Sequence, residues 1–184
     1  MKQETQLHCG PLFKGVNKAI GGNPSRPAFS YAQIKQGFLY ATNAHVAIKI
    51  DLKKFYSLSD GIIEILNGKY LPKEMIIELS KIKKKEFVKI DSNGFHLNFK
   101  SLLFKDFDDV YPDIDKVILD DSKQESLDRF NINAFLLADI YDIYNKEIGN
   151  IDGLIINTFG KNKHLKIQND DKSFVAILMP KYIH

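Results

Sequence analysis

The chain has 184 residues, 44% apolar and 11% aromatic, enough for one large domain or one and a half small ones with a real core. Lys and Arg number 26 against 23 Asp and Glu, and the net charge of +3 describes a mildly basic protein, not a polycationic nucleic-acid binder. The one cysteine, Cys9, excludes an internal disulfide and a cysteine-rich zinc module, and no apolar run approaches the roughly 20 residues needed to span a bilayer. The polar start MKQETQLHCG does not fit a signal peptide, so a soluble protein of the reducing cytoplasm is expected.

A helix-like segment followed by two or three strand-like ones recurs along the chain. The first helix is predicted from Pro11, whose fixed φ suits a first helical position, to the flexible cap Gly21-Gly22. Leu12, Phe13, Val16, Ala19 and Ile20 share one face of it, with Lys14 and Lys18 on another. After the Asn23-Pro24 break, RPAFSYAQIK, GFLYATN and HVAIKIDL read as strands of a meander, turning at Gln36-Gly37. Residues 53–71 form a connector holding GIIEIL and a hairpin-type Asn67-Gly68 turn. A second helix starts at Pro72, with Met75, Ile76, Leu79 and Ile82 inward, and runs out in three lysines, Lys83 to Lys85. FVKID, FHLNFK and SLLFKDF follow as strands, and the acidic loop DFDDVYPDIDKVI reads as a boundary.

Beyond the polar stretch DDSKQESLDR, Asn131 or Asn133 can cap a third helix whose Phe135, Leu136, Ala138, Ile140 and Ile143 suggest partial amphipathicity. GLIINTF, HLKIQN and SFVAILMP are the closing strands, the last apolar enough for burial on both faces. Residues 1–119 carry 18 basic and 13 acidic side chains and residues 120–184 carry 8 and 10, so basic surface belongs to the first two-thirds.

Four strings resemble the bacterial DNA polymerase III beta subunit, the sliding clamp family, in that family's order. FLYATNAHVAIKI (38–50) is similar to its strand–turn–strand segment at Ala41, Thr42, His45 and Ala47, and YLPKEMIIELSKI (70–82) to its Val-Pro helix opening. VYPDIDKVI (110–118) resembles its Phe-Pro-Asp loop, and FVAILMPKYIH (174–184) its Met-Pro terminus. The resemblance implies a shortened or divergent member with an α+β, DNA clamp-like fold of about three helix-plus-antiparallel-meander half-units. Residues 1–119 would make a complete two-unit domain, 120–129 a linker and 130–184 a half-domain. Family rings hold twelve half-units, so closure from three per chain would take four chains.

Clamp helices line a hole around DNA, which permits sliding on backbone electrostatics without base readout. Lys14, Lys18, Lys81, Lys83, Lys84 and Lys85 are the candidate contacts to double-stranded DNA, whereas the acids of the third helix, Asp139, Asp142 and Glu147, would repel phosphate. Carried over by motif position, a groove for clamp-binding peptides of polymerase or repair proteins would use Thr42, Ala44, His45, Val46 and Ala47, then Pro112, Lys116 and Val117, then Ile177, Met179, Pro180 and Lys181. An apolar groove with an adaptable methionine suits an aliphatic-aromatic peptide. The family's Gly-His-Arg is Ala44-His45-Val46 here, which removes a guanidinium, and its second methionine is Lys181. The expected function is a processivity or recruitment factor that tethers partners to DNA; the alternative is a peptide-binding module or clamp decoy that does not encircle DNA.

No catalytic reading has persuasive spacing, and neither enzyme chemistry nor a cofactor is expected. His8 and Cys9 are adjacent but lack a second thiol, and the carboxylates of residues 106–115 lack the ligand order of a calcium loop. Gly15, Gly21 and Gly22 are followed by no Gly-Lys-Ser/Thr, and His45, His96 and His164 stand without triad partners. An unrelated α+β hydrolase is the weakest reading.

Overall fold

A computed structural model describes residues 5–7, 10–22, 25–83, 86–126, 131–148, 153–160 and 163–179. His8, Cys9, the Asn23-Pro24 break, Lys84, Lys85, Pro180 and Lys181 lie outside the described residues, as does the side chain of Glu147. A short strand that polarity alone did not suggest, β1 (Thr5–Leu7), precedes α1 (Gly10–Ala19). Helix α1 buries Leu12, Phe13, Val16 and Ala19 and exposes Lys14, the division its spacing predicts.

The first meander is β2 (Tyr31–Lys35), β3 (Phe38–Thr42) and β4 (Val46–Asp51). Gln36 and Gly37 both have positive φ, 52° and 82°, as a two-residue hairpin turn requires. The expected strand RPAF is instead a 3₁₀ turn, Pro27–Ser30, because Pro27 pre-sets the helical φ and lacks the N–H a ladder needs. The connector differs more. Residues 52–66 are two helices, α2 (Leu52–Tyr56) and α3 (Asp60–Leu66), with Asp51 accepting hydrogen bonds from the Lys53 and Lys54 amides and Ser59 from that of Ile62. Asn67-Gly68 therefore ends a helix and does not close a hairpin; Gly68 has φ 76° and leads into β5 (Tyr70–Pro72).

The second helix, α4 (Lys73–Ser80), starts after Pro72 and buries Met75, Ile76 and Leu79 as expected; Ile82 is buried just beyond its end. The strands β6 (Val88–Asp91), β7 (Gly94–Leu97) and β8 (Lys100–Leu103) follow. A long segment containing α5 (Ile114–Val117) and a 3₁₀ turn, Asp121–Lys123, then leads to α6 (Ala134–Ile148), where Asn133 accepts the Phe135 amide. Phe135 and Ala138 face outward, Phe135 at 83% exposure, because Ile140, Ile143 and Tyr144 take the inner face. The last meander is β9 (Ile155–Asn157), β10 (Leu165–Gln168) and β11 (Phe174–Leu178), and β11 is buried at every position, as its composition predicts.

Pairing order turns three repeated units into one body. β1, which precedes α1, pairs with β6, and β5, which precedes α4, pairs with β2, so the first two units exchange their leading strands. One sheet runs β1-β6-β7-β8 and the other β5-β2-β3-β4-β11-β10-β9, with β11 joined antiparallel to β4 from Phe174↔Ile50 to Leu178↔Val46. Helix α1 packs against both α4 and α6. A Cβ at Gly15 would lie 3.2 Å from the Ile143 Cα, so its absence is what allows α1 and α6 this close approach. The core is continuous: Phe13 meets Phe95 edge-on at 5.9 Å, and Phe174 lies between Phe55 and Tyr144 at 5.5 and 5.4 Å.

Candidate functional site

The β4–β11 seam gathers the three segments singled out from sequence. In the β3–β4 turn, the Thr42 hydroxyl donates to the Val46 carbonyl (2.8 Å) and accepts from the Ala44 amide (3.2 Å). The Asn43 side chain accepts from the His45 and Val46 amides at 3.0 and 2.9 Å, which forces Ala44 to φ 75°. Thr42 and Val46 are buried and shape the turn, whereas Ala44 and His45 are exposed at its tip. One residue past β11, the Met179 amide donates to the His45 carbonyl at 3.1 Å, and the Met179 side chain stands 41% exposed beside that tip. Ile177 is buried opposite Ala47 in the ladder.

The third segment, residues 104–126, straps the outer face of the seven-stranded sheet. Tyr111 brings its hydroxyl within reach of the Tyr31 and Tyr40 carbonyls at 3.2 and 3.1 Å. Asp115 accepts from the Tyr40 hydroxyl (2.9 Å) and from Lys49 (2.7 Å), whose ammonium lies 4.4 Å from the centre of the Phe38 ring. Tyr111 and Ile114 bury themselves with Ala28 and Tyr40 in a second apolar cluster, distinct from the main core. Further along, Lys166 is buried on β10 and donates to the Leu119 carbonyl (3.2 Å) and to Asp121, which also takes Lys172 (2.7 Å). The Glu125 amide then donates to the Thr158 carbonyl at 2.9 Å. Residues 119–126, which include the described part of the expected 120–129 linker, are therefore bonded to the last meander. Pro112 is half-buried, Val117 is 43% exposed, and Lys116 is exposed and paired with Asp113 at 3.2 Å.

Electrostatics follow the burial. Desolvation pushes the Tyr111 phenol up, and that of Tyr40 likewise with help from its bond to Asp115, so both stay protonated and keep donating. Burial raises the Asp115 carboxyl, but the bonds from Lys49 and Tyr40 outweigh it and the net direction is down. Hydrogen bonds from Lys166 and Lys172 bring Asp121 down to about 2. Burial and the neighbouring Lys163 lower the His164 imidazole, whose ring meets the Val117 backbone.

Of the four candidate DNA-contacting lysines among the described residues, two are held in ion pairs. Lys14 and Lys83 are exposed, but Lys18 reaches across to α6 and bonds both Asp139 (2.8 Å) and Asp142 (2.6 Å), which raise its pKa. Asp139 and Asp142, two of the acids expected to repel phosphate, are thus held by Lys18. Lys81 is exposed and pairs with Glu78 at 2.6 Å; Glu78 also takes Lys100 at 3.0 Å. Sequence reasoning missed Tyr111, Asp115 and Lys49 as the residues that anchor the strap. Among the described residues no group of three or more His, Cys, Asp or Glu is placed to hold a metal, and no helix is long and apolar enough to cross a membrane.

Three helix-plus-meander units, with exchanged leading strands and a sheet continued across a unit boundary, define a DNA clamp fold. The solved structures it resembles are bacterial sliding clamps, the beta subunit of DNA polymerase III. The chain superimposes on the clamp of Bartonella birtlesii bound to griselimycin with a TM-score of 0.67 and 16% identity, covering 98% of this chain and 66% of that one. For the Bacillus subtilis clamp the values are 0.62, 14%, 99% and 65%, and for a Pseudomonas aeruginosa clamp with ligand they are 0.60, 13%, 98% and 66%. The chain thus spans just under two-thirds of the clamps it matches. No protein-family model and no curated protein matches it.

Proposed function

We propose that the chain is a clamp-like recruitment factor that holds partner proteins at DNA through a peptide groove on the β4–β11 seam. The observation that carries this is the convergence of the β3–β4 tip, the end of β11 and the strap on one seam of a clamp fold. His45, Met179, Pro112 and Val117 present partly exposed side chains there, and Thr42, Val46 and Ile177 hold the backbone beneath them. Pro180 and Lys181 follow Met179 in the sequence. An aliphatic-aromatic peptide fits this chemistry, since an exposed thioether offers adaptable apolar contact. Residues 1–119 act as one clamp-like domain, 130–184 as a half-domain, and 120–129 as the connection between them; the strand exchange between the first two units supports that division.

Binding of a fluorescent clamp-binding peptide, followed by polarisation, tests this reading. Met179→Ala with Pro180→Ala weakens binding at least ten-fold while the far-UV spectrum is unchanged; equal affinity refutes the groove. The second reading, a peptide-binding module without DNA encirclement, is favoured by the ion pairs that occupy Lys18 and Lys81. It predicts no retention on circular DNA even at about 50 mM salt, where backbone contacts are strongest.

A further inference from the structure

We propose that the four-stranded sheet carries a carboxylic-ester hydrolase site, with Ser101 as nucleophile, His96 as general base and Asp91 as the residue that orients His96. In the sequence His96 has no partner at a catalytic spacing; the ladder supplies two. β7 sets His96 opposite Lys89 on β6 and opposite Ser101 on β8, and Asp91, two residues on from Lys89, shares that face. His96 Nδ1 lies 3.0 Å from Ser101 Oγ, and Nε2 lies 3.1 Å from Asp91 Oδ1. The second contact is bent away from a linear hydrogen bond, as catalytic pairs commonly are before substrate binds. A carboxylate can only accept, so Asp91 takes the Nε2 proton and leaves Nδ1 the lone pair that draws the proton from Ser101 Oγ. Asp91 is itself fixed: it accepts the Asn93 and Gly94 amides at 2.7 and 3.3 Å, and the bonds from His96 and Asn93 hold its carboxyl below the usual range.

Strand register also supplies the oxyanion donor. The Phe104 amide donates to the Asn93 carbonyl at 2.8 Å, which makes those two residues a hydrogen-bonded pair, and by alternation His96 and Ser101 are a non-hydrogen-bonded one. Such pairs bring their side chains closest, and they turn the Ser101 N–H away from β7, toward the side on which this sheet ends. That amide is placed to receive the oxygen of a carbonyl attacked by Oγ. Leu103, 56% exposed on the same face, and Phe99, fully exposed in the β7–β8 turn, offer apolar contact to a short acyl chain. In the reaction, Oγ bonds to the ester carbon while its proton passes to Nδ1; the intermediate then expels the alkoxide, which takes that proton, and the acyl group stays on Ser101. Water attacks the acyl carbon, gives a proton to Nδ1, and Ser101 Oγ recovers it as the acid leaves, so one ester and one water become an acid and an alcohol. The site lies on the other sheet from the peptide groove, and the inference does not depend on that groove.

Hydrolysis of p-nitrophenyl butyrate by the full chain, followed by release of p-nitrophenolate, tests the proposal. The expected result is saturable turnover that Ser101→Ala and His96→Ala each lower by about ten-fold or more in kcat/KM, with the far-UV spectrum unchanged. Asp91→Asn keeps an oxygen for the turn amides and lowers kcat at nearly constant KM, a split that loss of a merely structural contact would not give. No turnover by the wild type, or wild-type turnover by Ser101→Ala, overturns the proposal. Loss confined to His96→Ala also overturns it, because the imidazole alone would then be the nucleophile. If a variant loses its far-UV signal, labelling of the wild type decides: a fluorophosphonate probe forms its adduct on Ser101, located by peptide mass, and an unlabelled Ser101 overturns the proposal.

Discussion

Asp121→Asn removes the carboxylate that neutralises Lys166, a side chain only 5% exposed beneath the strap. The size of the loss follows from the titration of that carboxyl, brought from 3.8 to about 2 by its two lysines. At roughly 1.4 kcal/mol per pH unit, this sets a ceiling of about 2.5 kcal/mol. Asp121 is 33% exposed and the Leu119 carbonyl remains as a partner for Lys166, so solvent screening reduces the expected loss to about 1–1.5 kcal/mol at pH 7. A carboxyl lowered in the folded state contributes stability that is complete above its unfolded value and disappears as pH falls through its folded one. The gap between wild type and variant therefore closes between about pH 4 and pH 2. Urea unfolding at a series of pH values measures it, with the slope on denaturant checked for constancy. A gap that persists at pH 2, or no gap at pH 7, would refute the assignment of Asp121 as the strap's ionic anchor.

Phe174→Ala empties a fully buried site between Phe55 and Tyr144 and is expected to cost about 3–5 kcal/mol, read as a lower denaturant midpoint. Ala44→Gly relieves an alanine held at φ 75° and raises stability by about 0.5–1 kcal/mol, a gain of a few degrees in Tm; a lower Tm would show that the turn tolerates the methyl without strain. Tyr111→Phe loses a hydroxyl that reaches the Tyr31 and Tyr40 carbonyls and costs about 1 kcal/mol, with faster hydrogen exchange in residues 110–118 before the sheet beneath responds. Lys18→Ala removes the ammonium that bridges Asp139 and Asp142 and destabilises by about 0.5–1 kcal/mol, an effect that high salt reduces.

What the sequence made legible was whatever is amphipathic over a short span. α1, α4 and the strands β2 and β4 show their buried faces at periods of 3.6 and 2, and Pro11 and Pro72 mark the helix starts. GIIEIL carries too few polar positions to display a period, and only the caps Asp51 and Ser59 announce α2 and α3 in the connector. β1 has three residues and exists because β6 pairs with it. The motif order led to the seam, but it could not separate Thr42 and Val46, which shape the turn from inside, from His45 and Met179, which are exposed. Lys18 and Asp139 are 121 residues apart, and no local pattern announces that they meet. The strap was illegible for the same reason: Tyr111 and Asp115 sit in a run of acids, and their partners Tyr40 and Lys49 belong to an earlier meander.

Charge and packing differ between the helix layer and the β4–β11 seam. On the helices, Lys18 and Lys81 each meet a carboxylate within 3 Å, so phosphate would have to displace an existing partner to use them. Such exchange lowers the net attraction per contact and leaves exposed residues such as Lys14 and Lys83 to supply it, a weak and salt-sensitive field. The seam has the opposite character. Its ladder from Phe174 to Leu178 is buried throughout, its turn is fixed by Thr42 and Asn43, and its strap is pinned by Asp115 and Asp121, so little conformational entropy is left in its backbone. Under the proposed peptide groove, that order would lower the entropy cost of binding, whereas helix lysines already paired with carboxylates would offer DNA only loose contact.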